Sequence, residues 1–129
     1  MKALIVDDSR TIRHQLNKAF KDKDWDVEEA DSGQTALEKL ENNEFDLLVT
    51  DQNMPIMLGT ELVASLRKNE GHLNQNIKTI FLTSDTTGSL KTKAKELGAS
   101  AFALKPLNLK AFFKIINKVM EDDDDDDDD

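Results

Sequence analysis

The 129-residue sequence contains no cysteine and no tyrosine, and it has only two prolines and one tryptophan. The absence of cysteine excludes a disulfide framework, a cysteine-ligated zinc site and a thiol nucleophile. No apolar run approaches the roughly 18–20 residues that span a bilayer, because charged or polar residues interrupt every run. The first residues also lack the charged and then apolar pattern of a signal peptide. We therefore expect a cytoplasmic protein with no membrane segment.

The net charge of −9 at pH 7 is concentrated at the end of the chain. Eight of the 26 acidic residues form the run 122–129, which leaves 18 acids against 17 bases elsewhere. A block of like charges repels itself and buries no apolar surface, so we predict a disordered poly-Asp tail over 122–129. The remaining residues, 1–121, are nearly neutral and have the usual length of one domain with one core.

Short apolar runs alternate with segments of helical periodicity. The runs have the length and β-branched character of buried strands. Five strands are predicted, at Lys2–Val6, Asp26–Ala30, Asp46–Thr50, Thr79–Leu82 and Ala101–Leu104. Five helices follow them. Strict alternation with short links predicts a doubly wound, three-layer α/β domain: a five-stranded parallel sheet of order 2-1-3-4-5, flavodoxin-like, with helices on both faces.

Local signals place the ends of several helices. The first helical segment carries Ile12, Leu16 and Phe20 on one face, and Ser9 is placed to cap its start. Glycines separate the segments, and we expect a positive φ or a sharp reversal of the chain at each of them. They are Gly33, Gly59, Gly71, Gly88 and Gly98.

Polar residues of a particular kind stand at the carboxyl ends of four predicted strands. Asp7 and Asp8 follow the first strand, Asp51 the third, Thr83 the fourth and Lys105 the fifth. Open α/β sheets bind their ligands at this edge, and the order 2-1-3-4-5 places the ends of strands one and three beside the topological switch point. The three aspartates are therefore predicted neighbours.

The chemistry of such a cluster points to phosphoryl transfer. Three carboxylates in one crevice repel one another unless a positive charge lies between them, and oxygen ligands of this kind suit Mg²⁺. Because magnesium commonly takes only one or two carboxylates, one remains as a nucleophile, and we interpret Asp51 as that residue. The backbone carbonyl of Asn53 is a further candidate metal ligand. Lys105 and Thr83 supply the cation and the hydroxyl that stabilise a transferring phosphoryl group.

Each of these residues has a structural interpretation as well. A strand-end Asp is often a helix cap, Thr83 is a plausible turn residue and Lys105 a solvated charge. For any one of these residues alone, the structural interpretation has at least as much weight as the functional one. The coincidence of Asp8, Asp51, Thr83 and Lys105 at four strand ends of one sheet favours the functional interpretation.

The pair Asp7-Asp8, the string Asp-Gln-Asn-Met-Pro at 51–55 with Gly59 downstream, Thr83-Ser84 and Lys105-Pro106 together resemble the receiver domain of bacterial two-component response regulators. The resemblance covers 1–121. It implies that a histidine kinase or a phosphotransfer protein donates a phosphoryl group to Asp51. It also implies that Asp8 and Asp51 ligate Mg²⁺ directly and that Asp7 helps through water.

The resemblance further implies a switch. Phe102 stands at the position of the family's aromatic switch residue, which turns inward as Thr83 moves toward the phosphate. Many chemotaxis-type members have tyrosine there, so this chain lacks a hydroxyl at that position. Asn53 and Asp85 occupy the positions that tune dephosphorylation, and Leu58 stands where an Asp often precedes the glycine.

The segment between Thr86 and Met120 is basic, with seven lysines against the single Glu96. By resemblance this is the face that contacts a downstream protein target or effector domain, although lysine stripes also serve only to keep helices solvated. No aromatic residues are interleaved with the lysines in the way that nucleic-acid binding favours, so we expect no direct nucleic-acid partner. No effector region follows Glu121, which leaves open a stand-alone regulator or a domain of a longer protein.

Three other functions share features with this sequence. A haloacid-dehalogenase-like phosphatase needs a second Asp two residues after its nucleophile, where this chain has Asn53, and an amide is no general acid. A flavodoxin-like nucleotide binder would place a phosphate beside Asp7-Asp8, which would repel it. A receiver-like module that acts unphosphorylated, by constitutive binding or dimerisation, remains open. We expect a phosphoacceptor that assists its own phosphorylation and dephosphorylation, and no turnover of a separate substrate.

Overall fold

The computed structural model describes residues 1–121, in which five strands and five helices alternate. The strands are β1 (Lys2–Val6), β2 (Asp26–Ala30), β3 (Leu47–Thr50), β4 (Lys78–Thr83) and β5 (Ala101–Leu104). The helices are α1 (Arg10–Lys21), α2 (Gly33–Asn42), α3 (Gly59–Lys68), α4 (Gly88–Glu96) and α5 (Leu109–Glu121). The predicted poly-Asp tail at 122–129 lies outside the described residues. Among the described residues, no helix is both long enough and apolar enough to cross a membrane.

All neighbouring strands of the sheet are parallel, in the order β2-β1-β3-β4-β5. Val6 at the end of β1 pairs with Ala30 on one side and with Thr50 on the other. This register brings the carboxyl ends of β1 and β3 side by side. The predicted strand order and parallel sheet are confirmed.

Two strand boundaries differ from the sequence prediction. The third strand begins at Leu47 rather than Asp46, because its pairing with β1 begins at Leu47 opposite Ala3. Asp46 is bonded to Lys2 just before this point: its backbone N–H donates to the Lys2 carbonyl oxygen at 2.8 Å, and its side chain accepts the Lys2 N–H at 2.8 Å. The fourth strand runs from Lys78 to Thr83, one residue longer at each end than predicted, because Lys78 pairs with Leu47 and Thr83 with Leu104.

The sheet separates two apolar layers, because successive side chains of a strand point to opposite faces. One layer lies under α2, α3 and α4 and includes Leu4, Val6, Leu48 and Phe81. The other lies under α1 and α5 and includes Ile5, Val49, Ile80 and Phe112. The predicted three-layer arrangement is confirmed.

Helix ends are set by local hydrogen bonds. Ser9 caps α1 as predicted, since its hydroxyl accepts the Ile12 N–H at 3.3 Å. Among the glycines only Gly71 and Gly98 have a positive φ, +77° in each case. The other three are the first residues of α2, α3 and α4 and do not have a positive φ, so that part of the expectation holds for two of the five glycines.

An ion-pair group lies on the edge strand β2. The Glu28 carboxylate contacts Lys2 Nζ at 3.0 Å and Lys39 Nζ at 3.2 Å. The bond to Lys2 lowers the pKa of Glu28 below its ordinary value, burial opposes this, and Lys39 lowers the pKa further. Glu28 therefore stabilises the fold in its charged form.

Candidate functional site

Three carboxylates converge where β1 and β3 end. One oxygen from each of Asp7, Asp8 and Asp51 lies within 4.8 Å of the others. Asp7 and Asp51 are buried, with 2% and 7% of their surface exposed, whereas Asp8 is exposed. Because β1 and β3 are neighbours in parallel register, residues that immediately follow the two strands meet at one edge. The structure thus brings the three predicted aspartates together.

Lys105 places a positive charge between two of these carboxylates. Its Nζ lies 2.9 Å from Asp51 Oδ2 and 3.0 Å from Asp7 Oδ2. Burial by itself lowers the pKa of Lys105, but the hydrogen bonds to Asp51 and Asp7 outweigh it, so the pKa is raised and the ammonium stays charged. The lysine follows β5 directly, and the next peptide bond, to Pro106, is cis.

Burial has the opposite consequence for Asp7. Its pKa is raised because desolvation outweighs the Ser9 backbone N–H and Lys105, both of which lower it, while the charge of Asp51 raises it further. Asp7 therefore costs the folded state free energy when it is ionised, and Lys105 reduces that cost.

Each of the two buried carboxylates is held at both oxygens. Asp51 Oδ1 accepts the Gln52 backbone N–H at 2.6 Å, and Asp7 Oδ1 accepts the Ser9 backbone N–H at 2.8 Å. In both residues Oδ2 faces Lys105. Arg13, which the sequence analysis missed, donates from Nη1 to the Asp7 carbonyl oxygen at 2.8 Å. The side chains are therefore oriented by backbone donors as well as by charge.

Thr83 and Asp85 form the β4 side of the site. Thr83 is fully buried at the end of β4, and its Oγ1 accepts the Asp85 backbone N–H at 3.2 Å. Asp85 Oδ1 accepts the Thr87 backbone N–H at 2.9 Å. This bond, the Thr87 hydroxyl and the Asn53 amide lower the pKa of Asp85, against a small opposing effect of burial. Asn53 and Asp85, paired in the sequence analysis, are therefore neighbours in space.

Phe102 lies on β5 opposite Phe81 of β4 in the ladder. The two rings stack, with centroids 5.9 Å apart and planes 18° from parallel. Phe102 is half-buried and packs against the apolar layer under α2, α3 and α4. The ring is thus part of the core packing, and its role as a switch stays a prediction.

The loop between β3 and α3 approaches the site closely. A Cβ on Gly59 would overlap the Asp51 carbonyl oxygen, so this position needs glycine for its lack of a side chain. Leu58 is the N-cap residue of α3, and its apolar side chain cannot accept a hydrogen bond from the first turn of the helix. The backbone N–H of Leu58 donates to Glu61 Oε1 at 2.8 Å. Ile56 is fully exposed and has φ +73°, a region that β-branched residues rarely adopt.

Gln52 is the second residue that the sequence analysis missed. Its side-chain amide makes two hydrogen bonds to Thr60 on α3, and both residues are buried. The only sequence signal was a polar residue at a position where a buried strand ends, which is equally typical of a turn.

The sheet and its carboxyl-edge cluster of three carboxylates and a lysine define a flavodoxin-like α/β domain with a polar site at the topological switch point. Residues 3–117 match the family model of the response regulator receiver domain. The chain belongs to this family, a CheY-type signalling family rather than a class of enzymes that turn over a separate substrate.

Relatives match this chain over nearly its full length. It is 33% identical over 122 residues to the chemotaxis protein CheY of Pseudomonas aeruginosa, covering 94% of this chain and 97% of the relative. The structure of CheY4 of Vibrio cholerae matches with a TM-score of 0.84 and 33% identity, covering 92% and 97% of the two chains. A CheY-like receiver domain protein from Methanospirillum hungatei matches with a TM-score of 0.85 and 30% identity, covering 96% and 97%. The family resemblance drawn from the sequence is confirmed.

Proposed function

We propose that residues 1–121 form a phosphoacceptor domain in which Asp51 receives a phosphoryl group from a histidine kinase or a phosphotransfer protein. The observation that supports this most directly is the environment of Asp51. A buried carboxylate has one oxygen on a backbone N–H and the other on Lys105, beside two further carboxylates. Such an arrangement orients the nucleophile and places a cation where it can stabilise negative charge on the phosphoryl oxygens during transfer.

The donor set at the cluster fits Mg²⁺. Hard divalent cations prefer oxygen ligands, and three carboxylates contribute oxygens within 4.8 Å of one another. In the proposal Asp8, Asp51 and the backbone carbonyl of Asn53 hold the ion directly, and Asp7 acts through water. The bound ion would supply charge neutralisation at the phosphoryl oxygens.

The residues of the chain supply the remaining chemistry. An Asp51 carboxylate oxygen attacks phosphorus, a P–O bond forms, and the P–N bond of the donor's phosphohistidine breaks. The leaving imidazole nitrogen keeps the electron pair and takes up a proton. Lys105, 2.9 Å from Asp51 Oδ2, then transfers its contact to a phosphoryl oxygen. The charge-assisted hydrogen bond from Lys105 to the phosphoryl oxygen then replaces the bond from Lys105 to the Asp51 carboxylate.

The phosphoryl group carries up to about two negative charges but replaces the single charge of the Asp51 carboxylate, so phosphorylation adds about one. It shifts a conformational equilibrium only as far as the active form binds the phosphoryl group better. Thr83 Oγ1 is an acceptor in this structure, so its own proton remains to be donated to a phosphoryl oxygen. Movement of Thr83 toward the phosphate would let Phe102 turn inward and change the surface presented to a downstream target. Asn53 and Asp85 would govern how water reaches the acyl phosphate.

Acetyl phosphate tests the proposal. The protein is incubated with it in the presence and absence of Mg²⁺, and intact mass is recorded for the wild type, Asp51→Asn and Asp46→Asn. Asp46 is an exposed aspartate before β3, at the opposite end of that strand, and serves as the matched control. A single Mg²⁺-dependent phosphate on the wild type and the control, absent from Asp51→Asn, is the expected result. Failure of the wild type to gain phosphate while it binds Mg²⁺ would favour a constitutive binding module.

A further inference from the structure

The peptide that follows Asp51 is tied to the start of α3 by the side chain of Gln52. Gln52 Oε1 accepts the Thr60 backbone N–H at 2.8 Å, and Gln52 Nε2 donates to Thr60 Oγ1 at 3.1 Å. The Gln52 carbonyl oxygen accepts the Gly59 N–H at 2.9 Å. Three hydrogen bonds therefore join one residue to the first two residues of a helix.

These bonds replace a missing helix cap. The first N–H groups of an α-helix have no partner within the helix, and a polar N-cap side chain usually accepts one of them. The N-cap of α3 is Leu58, whose side chain accepts nothing. Gln52, which lies just after β3, accepts the backbone N–H groups of Gly59 and Thr60. The end of the strand and the start of the helix are therefore held as one unit.

This unit controls one oxygen of the proposed phosphoacceptor. The Gln52 backbone N–H donates to Asp51 Oδ1 at 2.6 Å, and the direction of that N–H follows from the orientation of the peptide. Gln52 and Thr60 are only 8% and 7% exposed, so water does not readily replace their mutual bonds. The close approach of Gly59 to the Asp51 carbonyl leaves the peptide little room to rotate.

We propose that Gln52 is a positioning residue: its amide, locked onto Thr60, sets the peptide whose N–H orients Asp51 for phosphoryl transfer. The inference rests on the proposed function of Asp51, and it concerns an action through the backbone rather than contact with a substrate. A misplacement of a reacting group by about 1 Å can slow a reaction about a hundredfold.

Four variants of the full chain test it. Gln52→Met keeps the length of the side chain and removes both bonds to Thr60. Gln52→Glu keeps the acceptor for the Thr60 N–H, and Thr60→Ser keeps the hydroxyl. The matched control is Thr79→Val, which removes a buried hydroxyl near the start of β4, far from the site at the end of that strand. Thr79 Oγ1 donates to the Ile77 carbonyl oxygen and accepts from Arg67 Nη2.

Three measurements are made on each variant: the rate of phosphorylation by acetyl phosphate with Mg²⁺, the thermal unfolding midpoint, and the NMR resonance of the residue 52 backbone amide proton. We expect Gln52→Met to be phosphorylated at least about tenfold more slowly than the wild type. We expect its residue 52 amide proton to move upfield as the bond to Asp51 weakens. We expect Gln52→Glu and Thr60→Ser to stay close to the wild type in both the phosphorylation rate and the residue 52 amide resonance. Thr79→Val loses thermal stability but keeps the wild-type rate and resonance.

The inference is overturned if Gln52→Met keeps the phosphorylation rate of Thr79→Val, or if its residue 52 amide resonance stays in place. The second readout needs no phosphorylation. If the wild type gains no phosphate, the proposed function fails, and the resonance still decides whether Gln52 orients Asp51. If the wild type is phosphorylated and Gln52→Met equally so, the proposed function stands and the positioning role does not.

Discussion

Replacement of Lys105 by methionine removes the only cation that the described residues place between the buried carboxylates of Asp7 and Asp51. Methionine keeps much of the length of the side chain and its packing. The variant therefore isolates the effect of the charge, and it leaves two carboxylates facing each other without compensation.

The size of the effect follows from the burial of the group. Removal of one partner from a fully buried ion pair costs about 3–5 kcal/mol. The Lys105 side chain is 20% exposed, and water screens part of the interaction. We therefore expect Lys105→Met to lower the free energy of unfolding by about 2–3 kcal/mol at neutral pH. For a domain of this size, that corresponds to a fall in Tm of about 6–12 °C.

The pH dependence has a definite sign. The pKa of Asp7 is already raised above its ordinary value of 3.8 by burial, and Lys105 is one of the groups that lower it. Without Lys105 the pKa rises further. A carboxyl whose pKa is higher in the folded state stabilises the fold below the unfolded pKa and loses this stabilisation as pH rises through the folded pKa. The difference in Tm between the variant and the wild type should therefore be small near pH 4 and grow toward neutral pH.

Added Mg²⁺ should reverse the loss. Two like charges about 4 Å apart repel by about 1 kcal/mol even in bulk water, so a site without Lys105 holds a divalent cation more tightly. The assay is thermal unfolding of the wild type, Lys105→Met and Lys91→Met, with and without Mg²⁺, at acidic and neutral pH. Lys91 is an exposed lysine on α4, and its variant controls for loss of net charge. A neutral-pH Tm for Lys105→Met equal to that of Lys91→Met, or a deficit that Mg²⁺ does not reduce, would refute the reasoning.

Three further substitutions have expected effects that urea unfolding measures. Ile56→Gly should raise the free energy of unfolding by about 0.5–1 kcal/mol, because the exposed side chain loses no packing and glycine tolerates the positive φ; Ile56→Ala keeps the Cβ and should gain less. Gly59→Ala should lower it by about 2 kcal/mol, since the new Cβ meets the Asp51 backbone, whereas Gly88→Ala, with nothing within 4 Å, should not; equal urea midpoints would contradict this. Glu28→Gln should lower it by about 0.5–1 kcal/mol at pH 7. Since the folded pKa of Glu28 lies below its ordinary value of 4.5, that deficit should be constant above this pH and vanish as pH falls through the folded pKa. A deficit that persists in acid would count against it.

The architecture was predictable because its signals are local and repeated. Apolar runs of strand length alternate with helical periodicity, and right-handed crossovers allow few arrangements of such a pattern. The same signals located Asp7, Asp8 and Asp51 at one edge of the sheet. Strand boundaries were missed by a residue, as at Asp46 and Lys78, because an apolar run does not mark where pairing with the neighbouring strand begins.

By itself, the sequence determined the order of the elements, the parallel sheet and the residue types at its carboxyl edge, since these depend on runs and periods along the chain. Only the tertiary structure decided which atoms meet. Lys105 and Asp51 are 54 positions apart, and their contact depends on how β3, β4 and β5 pack. The bonds of Gln52 to Thr60 likewise depend on the angle at which α3 leaves the strand end. No local pattern encodes such distances, because they result from the packing of the whole sheet and its helices.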